Sequence, residues 1–306
     1  MWRDRSPIGP RLASASAWPV DSERPIWRRP TTLDEAIAAR VELGDAALVV
    51  AGGTWVTLLI QQGLARPAVI LSLDRIPGFD GIAVSPEGEL SLGALCRLTD
   101  VARNPAIRAD WSALADVYGI VANERIRNQG TVGGNVCEAD YASDPPAALL
   151  ALDARALVRG PSGERAIPMR DFFRGHYETA IAPDELLTAI VVPPMSIGAR
   201  AHYLKFTARS SEDRPCAGIF AVVEPAAEDR VLKRVRIAIG AVSATPILFE
   251  AVNIELNDGR LADLAGEGAT SIDPIADLRG SAAYRRALVR ALVPRAIRAA
   301  LADGAA

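Results

Sequence analysis

The 306-residue sequence is 50% apolar and 23% charged, which is the composition of an ordinary globular protein with room for two or three cores. Its formal net charge of −3 gives no electrostatic reason to expect nucleic-acid binding. No apolar run reaches the roughly 18 residues of a membrane helix. Three cysteines without a C-x-x-C pair indicate neither a disulfide framework nor a metal site, so we expect reduced thiols in the cytoplasm and an organic cofactor for any redox chemistry.

The N-terminal segment has no periodic pattern, whereas the residues that follow it have the signals of a first helix. Residues 1–24 are rich in Pro, Ser and Arg and show no period, which predicts an extension without regular structure and no secretory signal peptide. Thr32 and Glu35 have the spacing of a capping box, so a helix is predicted to begin there and to run to residue 43. Gly44 is the expected stop.

The first glycine pair follows a short apolar run. Residues 47–50 predict a strand, Gly52-Gly53 follows, and residues 54–62 predict a short helix before a second strand over 68–73. This β-α-β unit places the glycine pair at the carboxyl end of its first strand, where α/β proteins bind ligands.

A second glycine pair, Gly133-Gly134, lies within the segment 131–135. Glycine leaves no Cβ between the backbone N–H groups and an incoming oxyanion, so successive amides can converge on a phosphate. Neither segment is a Walker loop or a G-x-G-x-x-G fingerprint, and each alone is more simply a turn. Together they predict the grip of one long, phosphate-bearing ligand.

The remaining elements predict a three-part α+β protein. Between residues 81 and 192 we expect strands at 89–95, 154–159 and 186–192, and helices near 98–103, 111–118 and 145–152. Later strands are expected over 203–206, 218–223 and 235–239, before a long helix over about 281–302 that Pro294 is liable to kink. The predicted divisions are 1–24, 25–80, 81–192 and 193–306.

Several segments spread over roughly residues 25–302 follow one another in the order found in a known protein family. They are Ala51–Thr54, Ile126–Asn135, Ser143-Asp144, Leu149–Ala154, Asp184–Leu187, Tyr203–Lys205 and Ala238–Val242. This series resembles the FAD-binding medium subunit of molybdenum hydroxylases, the flavoprotein family of xanthine dehydrogenase and carbon monoxide dehydrogenase. The resemblance implies a vanillyl-alcohol-oxidase-type (PCMH-like) FAD-binding domain of two α+β subdomains. It also implies a C-terminal domain with a small antiparallel sheet and helices.

The resemblance further implies where FAD would lie, with its pyrophosphate against the two glycine segments. Asp144 matches an aspartate that hydrogen-bonds the ribityl chain, a task that suits a carboxylate because it accepts from two hydroxyls. Leu187 and Lys205 match residues beside the isoalloxazine ring, and Tyr177 matches a tyrosine over it. The other implied contacts are Val50, Ala51, Gly52, Gly53, Thr54, Trp55 and Val56 in the first segment, and Thr131, Val132, Gly133, Gly134 and Asn135 in the second.

Each of these side chains also has a plain structural interpretation. Asp144 fits a helix cap, Lys205 fits a solvated strand residue, and Tyr177 and Leu187 fit core positions. Trp55 departs from the family, whose members usually carry a small or acidic residue there. We therefore leave open how the first segment meets the cofactor.

For function, the resemblance implies electron transfer rather than substrate chemistry in this chain, and we assign no catalytic side chain and no metal ligand. A small partner would carry two [2Fe–2S] clusters and a large partner the molybdopterin, in a dimer of heterotrimers. FAD here would pass electrons to NAD⁺, a quinone or O₂. Two alternatives stay open: a stand-alone flavin oxidoreductase of the same fold, and a flavin-free assembly subunit or nucleotide sensor.

Overall fold

The computed structural model describes residues 24–226 and 230–302. The predicted extension therefore lies almost wholly outside the described residues. The strands are β1 (Ile26–Arg28), β2 (Ala47–Val50), β3 (Val69–Ser72), β4 (Ile82–Val84), β5 (Leu90–Gly93), β6 (Arg155–Gly160), β7 (Gly163–Pro168), β8 (Phe173–Gly175), β9 (Glu178–Thr179), β10 (Leu186–Val192), β11 (Arg200–Phe206), β12 (Ala217–Pro225), β13 (Val231–Gly240) and β14 (Ile247–Glu255). The helices are α1 (Leu33–Leu43), α2 (Thr54–Gln61), α3 (Leu98–Arg103), α4 (Pro105–Asp110), α5 (Ser112–Gly119), α6 (Glu124–Gln129), α7 (Val132–Glu138), α8 (Pro145–Ala151), α9 (Met169–Phe172), α10 (Asp258–Ser271) and α11 (Ala282–Ala302).

The first sheet is parallel and has the order β1-β3-β2. Helix α1 begins as predicted, because the Thr32 hydroxyl accepts the Glu35 N–H at 3.2 Å. The Glu35 carboxylate turns to the Thr31 N–H at 2.8 Å. The predicted β-α-β unit is confirmed as β2-α2-β3, with buried residues of α1 and β3 such as Ile37 and Leu71 in its core.

The second sheet has the order β4-β5-β10-β6-β7, and the four pairs of neighbouring strands are antiparallel. Strand β6 buries alternate side chains, so that Ala156 and Val158 face the core and their neighbours do not. Residues of α5 and α8 complete this core, among them Leu114 and Leu149.

The third sheet is an antiparallel meander in the order β11-β12-β13-β14. Helices α10 and α11 cover one of its faces and share its core, which contains Ile219, Ile237 and Val293. Helix α11 is continuous through Pro294. This is the small antiparallel sheet with helices that the family resemblance implies, and the mixed α+β class is confirmed.

One sequence expectation needs correction, and one helix was missed. The segment around Gly133-Gly134 is not a turn between elements, since both glycines lie in the first turn of α7. Helix α6, directly before it, was not predicted. The divisions after residues 80 and 192 stay predictions. Among the described residues, no helix is both long and apolar enough to cross a membrane.

Candidate functional site

The first glycine segment connects β2 to α2. Val50 ends the strand, and its carbonyl accepts the Leu73 N–H at 2.9 Å. Gly53 then adopts φ 72°, the left-handed region that favours glycine, and no side chain caps the helix that follows. The N–H groups in the first turn of a helix have no partner within the helix. The start of α2, at Thr54 and Trp55, therefore offers backbone donors to an oxyanion.

The second glycine segment starts α7 in a different way. Thr131 caps the helix, and its hydroxyl accepts the Gly134 N–H at 3.0 Å. The Gly133 N–H donates to the Ala94 carbonyl at 2.8 Å. A Cβ on Gly133 would lie 2.7 Å from that same oxygen, so only glycine allows α7 to approach the end of β5. Gly134 itself is exposed.

The two segments meet. A Cβ on Gly52 would overlap the backbone oxygen of Gln129, which ends α6 just before the second segment. A Cβ on Gly134 would lie 4.0 Å from that of Ala51. We call residues 50–56 and 131–135 together the glycine cradle. Its bare backbone and uncapped helix start fit a pyrophosphate, which needs close approach and several N–H donors.

Asp144 and Lys205 form a buried ion pair. Lys205 Nζ lies 3.0 Å from Asp144 Oδ2, and the two side chains are 7% and 4% exposed. The Tyr203 hydroxyl donates to Asp144 Oδ1 at 2.8 Å, and Lys205 Nζ also donates to the Ile120 carbonyl at 3.0 Å. Burial raises the pKa of Asp144, while Lys205 and Tyr203 oppose this shift.

This geometry overturns two plain interpretations from the sequence. Asp144 stands at the start of α8, but its side chain makes no capping hydrogen bond. Lys205 is not a solvated strand residue. Tyr203 was missed, although its spacing of two from Lys205 on a strand places both on one face. A Cβ on Gly218 of the neighbouring β12 would overlap the Tyr203 hydroxyl, so this glycine makes room for it.

Leu187 is buried at 8% exposure on β10, so its core interpretation is correct. A register shift separates it from Ala189, and between them the Thr188 carbonyl accepts the Ala94 N–H at 2.9 Å. Ala94 is the residue whose carbonyl holds Gly133. The irregular part of β10 therefore supports the second glycine segment. A place for Leu187 beside a flavin ring stays a prediction.

Trp55 and Tyr177 stack on each other, with ring centroids 6.0 Å apart and an angle of 11° between planes. The Arg214 guanidinium lies 5.1 Å from the centre of the Trp55 ring. Its Nη2 lies 2.7 Å from Asp140 Oδ2 and 3.3 Å from Glu138 Oε1. Tyr177 is 55% exposed, so its core interpretation is wrong. The sequence did not link these residues, which we call the aromatic clasp: Trp55, Tyr177 and Arg214.

One of the two carboxyl groups that contact Arg214 has a raised pKa. Burial, and then the neighbouring Asp140 carboxylate, raise the pKa of Glu138 to about 7, while Arg214 lowers it. The pKa of Glu138 therefore lies near neutral pH.

Comparison with known proteins places the chain in a family. The family described as the FAD binding domain in molybdopterin dehydrogenase matches residues 20–195, and the CO dehydrogenase flavoprotein C-terminal domain matches residues 202–300. The 6-hydroxypseudooxynicotine dehydrogenase complex subunit alpha of Paenarthrobacter nicotinovorans is 30% identical over 275 residues, 88% of this chain and 92% of that one. The carbon monoxide dehydrogenase medium chain of Hydrogenophaga pseudoflava is 30% identical over 282 residues, 90% of this chain and 96% of that one.

Solved structures agree with these relatives. A chain of carbon monoxide dehydrogenase from Hydrogenophaga pseudoflava matches with a TM-score of 0.87 at 29% identity, covering 92% of this chain and 98% of that one. A chain of quinoline 2-oxidoreductase from Pseudomonas putida 86 matches with a TM-score of 0.85 at 25% identity, with the same coverage. The family match and the fold thus define an FAD-binding flavoprotein. Within that class, the chain belongs to the FAD-binding medium subunits of the molybdenum hydroxylases, an oxidoreductase family.

Proposed function

We propose that this chain is the electron-exit subunit of a molybdenum hydroxylase complex. It receives electrons from two [2Fe–2S] clusters of a small subunit, downstream of a large molybdopterin subunit, and passes them to an external acceptor. Two relatives support this, because their names describe a medium chain and a subunit of a dehydrogenase complex. The three cysteines of this chain are too few for two such clusters, which need about four ligands each.

The observation that carries the proposal is the glycine cradle. Its first segment leaves the first-turn donors of α2 without a side-chain cap, and its second segment comes close enough to share one ligand. We infer that residues 50–56 supply N–H donors to the pyrophosphate, and that residues 131–135 shape the opposite wall. Bound FAD would supply redox chemistry that joins one-electron and two-electron carriers.

The buried ion pair would serve the flavin end of the cofactor. A carboxylate has about four acceptor positions. Tyr203 and Lys205 occupy two of those on Asp144, so about two acceptor positions would remain for hydroxyls of the ribityl chain. Because Lys205 is paired with Asp144, its ammonium would favour a reduced, anionic ring only as the positive end of this ion pair and not as a free charge. We propose Tyr177 and Leu187 as the neighbours of that ring.

The assembly and location are proposals of the same kind. We propose a dimer of heterotrimers, with NAD⁺, a quinone or O₂ as the acceptor, in the cytoplasm. The location is supported by the free thiols of Cys96, Cys137 and Cys216.

The experiment is purification of the native complex through a tag on this chain, followed by its visible spectrum, identification of the released cofactor by mass, and identification of the copurifying chains. We expect one FAD per copy of this chain and two further subunits, and we expect substrate of the large subunit to bleach the flavin absorbance. FAD with this chain alone would favour a stand-alone oxidoreductase. A colourless, intact complex would favour the flavin-free assembly subunit.

A further inference from the structure

We propose that the aromatic clasp closes the glycine cradle and slows the release of its cofactor, with Trp55 as the positioning residue. This inference rests on the proposed function, since it takes FAD as the ligand. It concerns the side chain of Trp55, whereas the cradle uses only the backbone of this segment. The function assigned to the cradle does not by itself explain why this residue is large and aromatic.

The clasp joins three separate parts of the chain. Trp55 lies in the first turn of α2, directly after the first glycine segment. Tyr177 lies between β8 and β9 with φ 56°, and its N–H donates to the carbonyl of Ala139 at 3.1 Å. Ala139 follows the last residue of α7. Arg214 lies between β11 and β12 in the third sheet. The start of α2 is therefore tied to the end of α7.

The contacts of the clasp reinforce one another. Glu138 and Asp140, whose side chains are 13% and 4% exposed, hold the Arg214 guanidinium on one side. The Trp55 ring contacts the Arg214 guanidinium and also stacks on the Tyr177 ring. The Arg214 side chain is 41% exposed, so its contact with the tryptophan ring is of the weaker, solvated kind, and the nearly parallel rings add attraction beyond their buried area. Removal of Trp55 breaks both contacts at once.

The position of the clasp explains its effect on a ligand. Helices α2 and α7 both begin in the glycine cradle, where Ala51 approaches Gly134. The clasp joins the same two helices a second time, because Arg214 contacts both Trp55 and Glu138, the last residue of α7. A phosphate held by the first turn of α2 lies next to Trp55 along the chain. We expect its departure to require α2 and α7 to separate, which the clasp opposes.

The test measures release of FAD from the full-length chain. Apoprotein is loaded with FAD, and dissociation is followed by the return of flavin fluorescence on dilution. We expect Trp55→Ala to release FAD about tenfold faster, the equivalent of about 1.4 kcal/mol. Trp55→Phe should restore slow release, because it retains an aromatic face for Tyr177. The matched control is Trp27→Ala, which removes a tryptophan whose ring lies 5.0 Å from the Arg29 guanidinium but which is 52% exposed on β1.

The outcomes separate this inference from the proposed function. If the wild-type chain does not bind FAD, the proposed function fails. If the wild type binds FAD and Trp55→Ala releases it as slowly as Trp27→Ala, the clasp is wrong. Should Trp55→Ala not fold, Arg214→Met decides, since it keeps the ring stack and removes the cation. Release several-fold faster than wild type supports the clasp, and an unchanged rate overturns it.

Discussion

The two halves of the glycine cradle share a Gly-Gly pair and a helix that starts there, yet they use their backbones in opposite ways. In the first, Gly53 takes left-handed geometry and no side chain caps α2. In the second, the Thr131 hydroxyl accepts the Gly134 N–H, and Ala94 accepts that of Gly133. The first half therefore leaves its N–H donors available to a ligand, whereas the second uses the N–H groups of both glycines within the protein.

The largest loss of stability should come from breaking the ion pair between Asp144, which follows the second half in sequence, and Lys205. Lys205→Met would leave the buried Asp144 carboxylate without its cation, so we expect a loss of about 3–5 kcal/mol in the free energy of unfolding. Urea unfolding of the apoprotein measures it. Lys233→Met, at an exposed position of β13, is the matched control and should change stability by less than about 0.5 kcal/mol. The double variant Asp144→Asn with Lys205→Met should recover part of the loss. Equal effects at both lysines would contradict the pairing.

The second largest loss of stability should come from disturbing the contact between the two halves of the cradle. In Gly52→Ala the new methyl group overlaps the Gln129 carbonyl, so we expect a loss of about 2–3 kcal/mol and a large fall in FAD content. Gly53→Ala has only the cost of left-handed backbone, about 1 kcal/mol, because its nearest neighbour would be 3.6 Å away. Gly63→Ala shares that geometry in open space at the end of α2 and should bind FAD normally. Normal FAD content in Gly52→Ala would show that the halves need not touch.

The pH dependence of stability tests the far end of α7. The pKa of Glu138 is about 7 in the folded protein, against an ordinary value of 4.5, so the folded state binds this proton more tightly than the unfolded state does. The contribution of Glu138 is absent below pH 4.5 and becomes destabilising as the pH rises from 4.5 to 7. It amounts to about 3 kcal/mol above that range.

Glu138→Gln should remove this dependence. We expect unfolding curves recorded from pH 4 to 8 to be flatter for the variant than for the wild type between 4.5 and 7. Glu124→Gln, at an exposed position of α6, provides the comparison and should keep the wild-type slope. A variant that retains the full slope would show that another group causes it.

Much of the fold was visible in the sequence, because apolar runs bounded by Gly and Pro mark strands such as β2 and β10 directly. Helix α7, which begins in the second half of the cradle, was not visible in the sequence, because the low helix propensity of Gly133 and Gly134 argues against a helix there. The helix exists because Thr131 caps it and because Gly133 packs against Ala94, and only the tertiary structure supplies that neighbour. The family resemblance drew attention to Lys205 and Asp144 as separate cofactor contacts but could not show that they bind each other. Arg214 was missed, because nothing in its local sequence places it over Trp55.

The smallest effect should come from the cap of α7, and it bears most directly on the contrast between the two halves. Thr131→Ala removes the acceptor for the Gly134 N–H, at a cost of about 1 kcal/mol, whereas Thr131→Ser keeps it. If the second half contributes only shape, FAD affinity should fall little in Thr131→Ala once the apoprotein is folded. If its N–H donors instead turn to the phosphate when FAD binds, Thr131→Ala should lose stability without FAD but bind the cofactor more tightly, because the hydroxyl no longer competes for the Gly134 donor. Paired measurements of unfolding with and without FAD distinguish these results, and the second would show that the two halves become alike in the bound state.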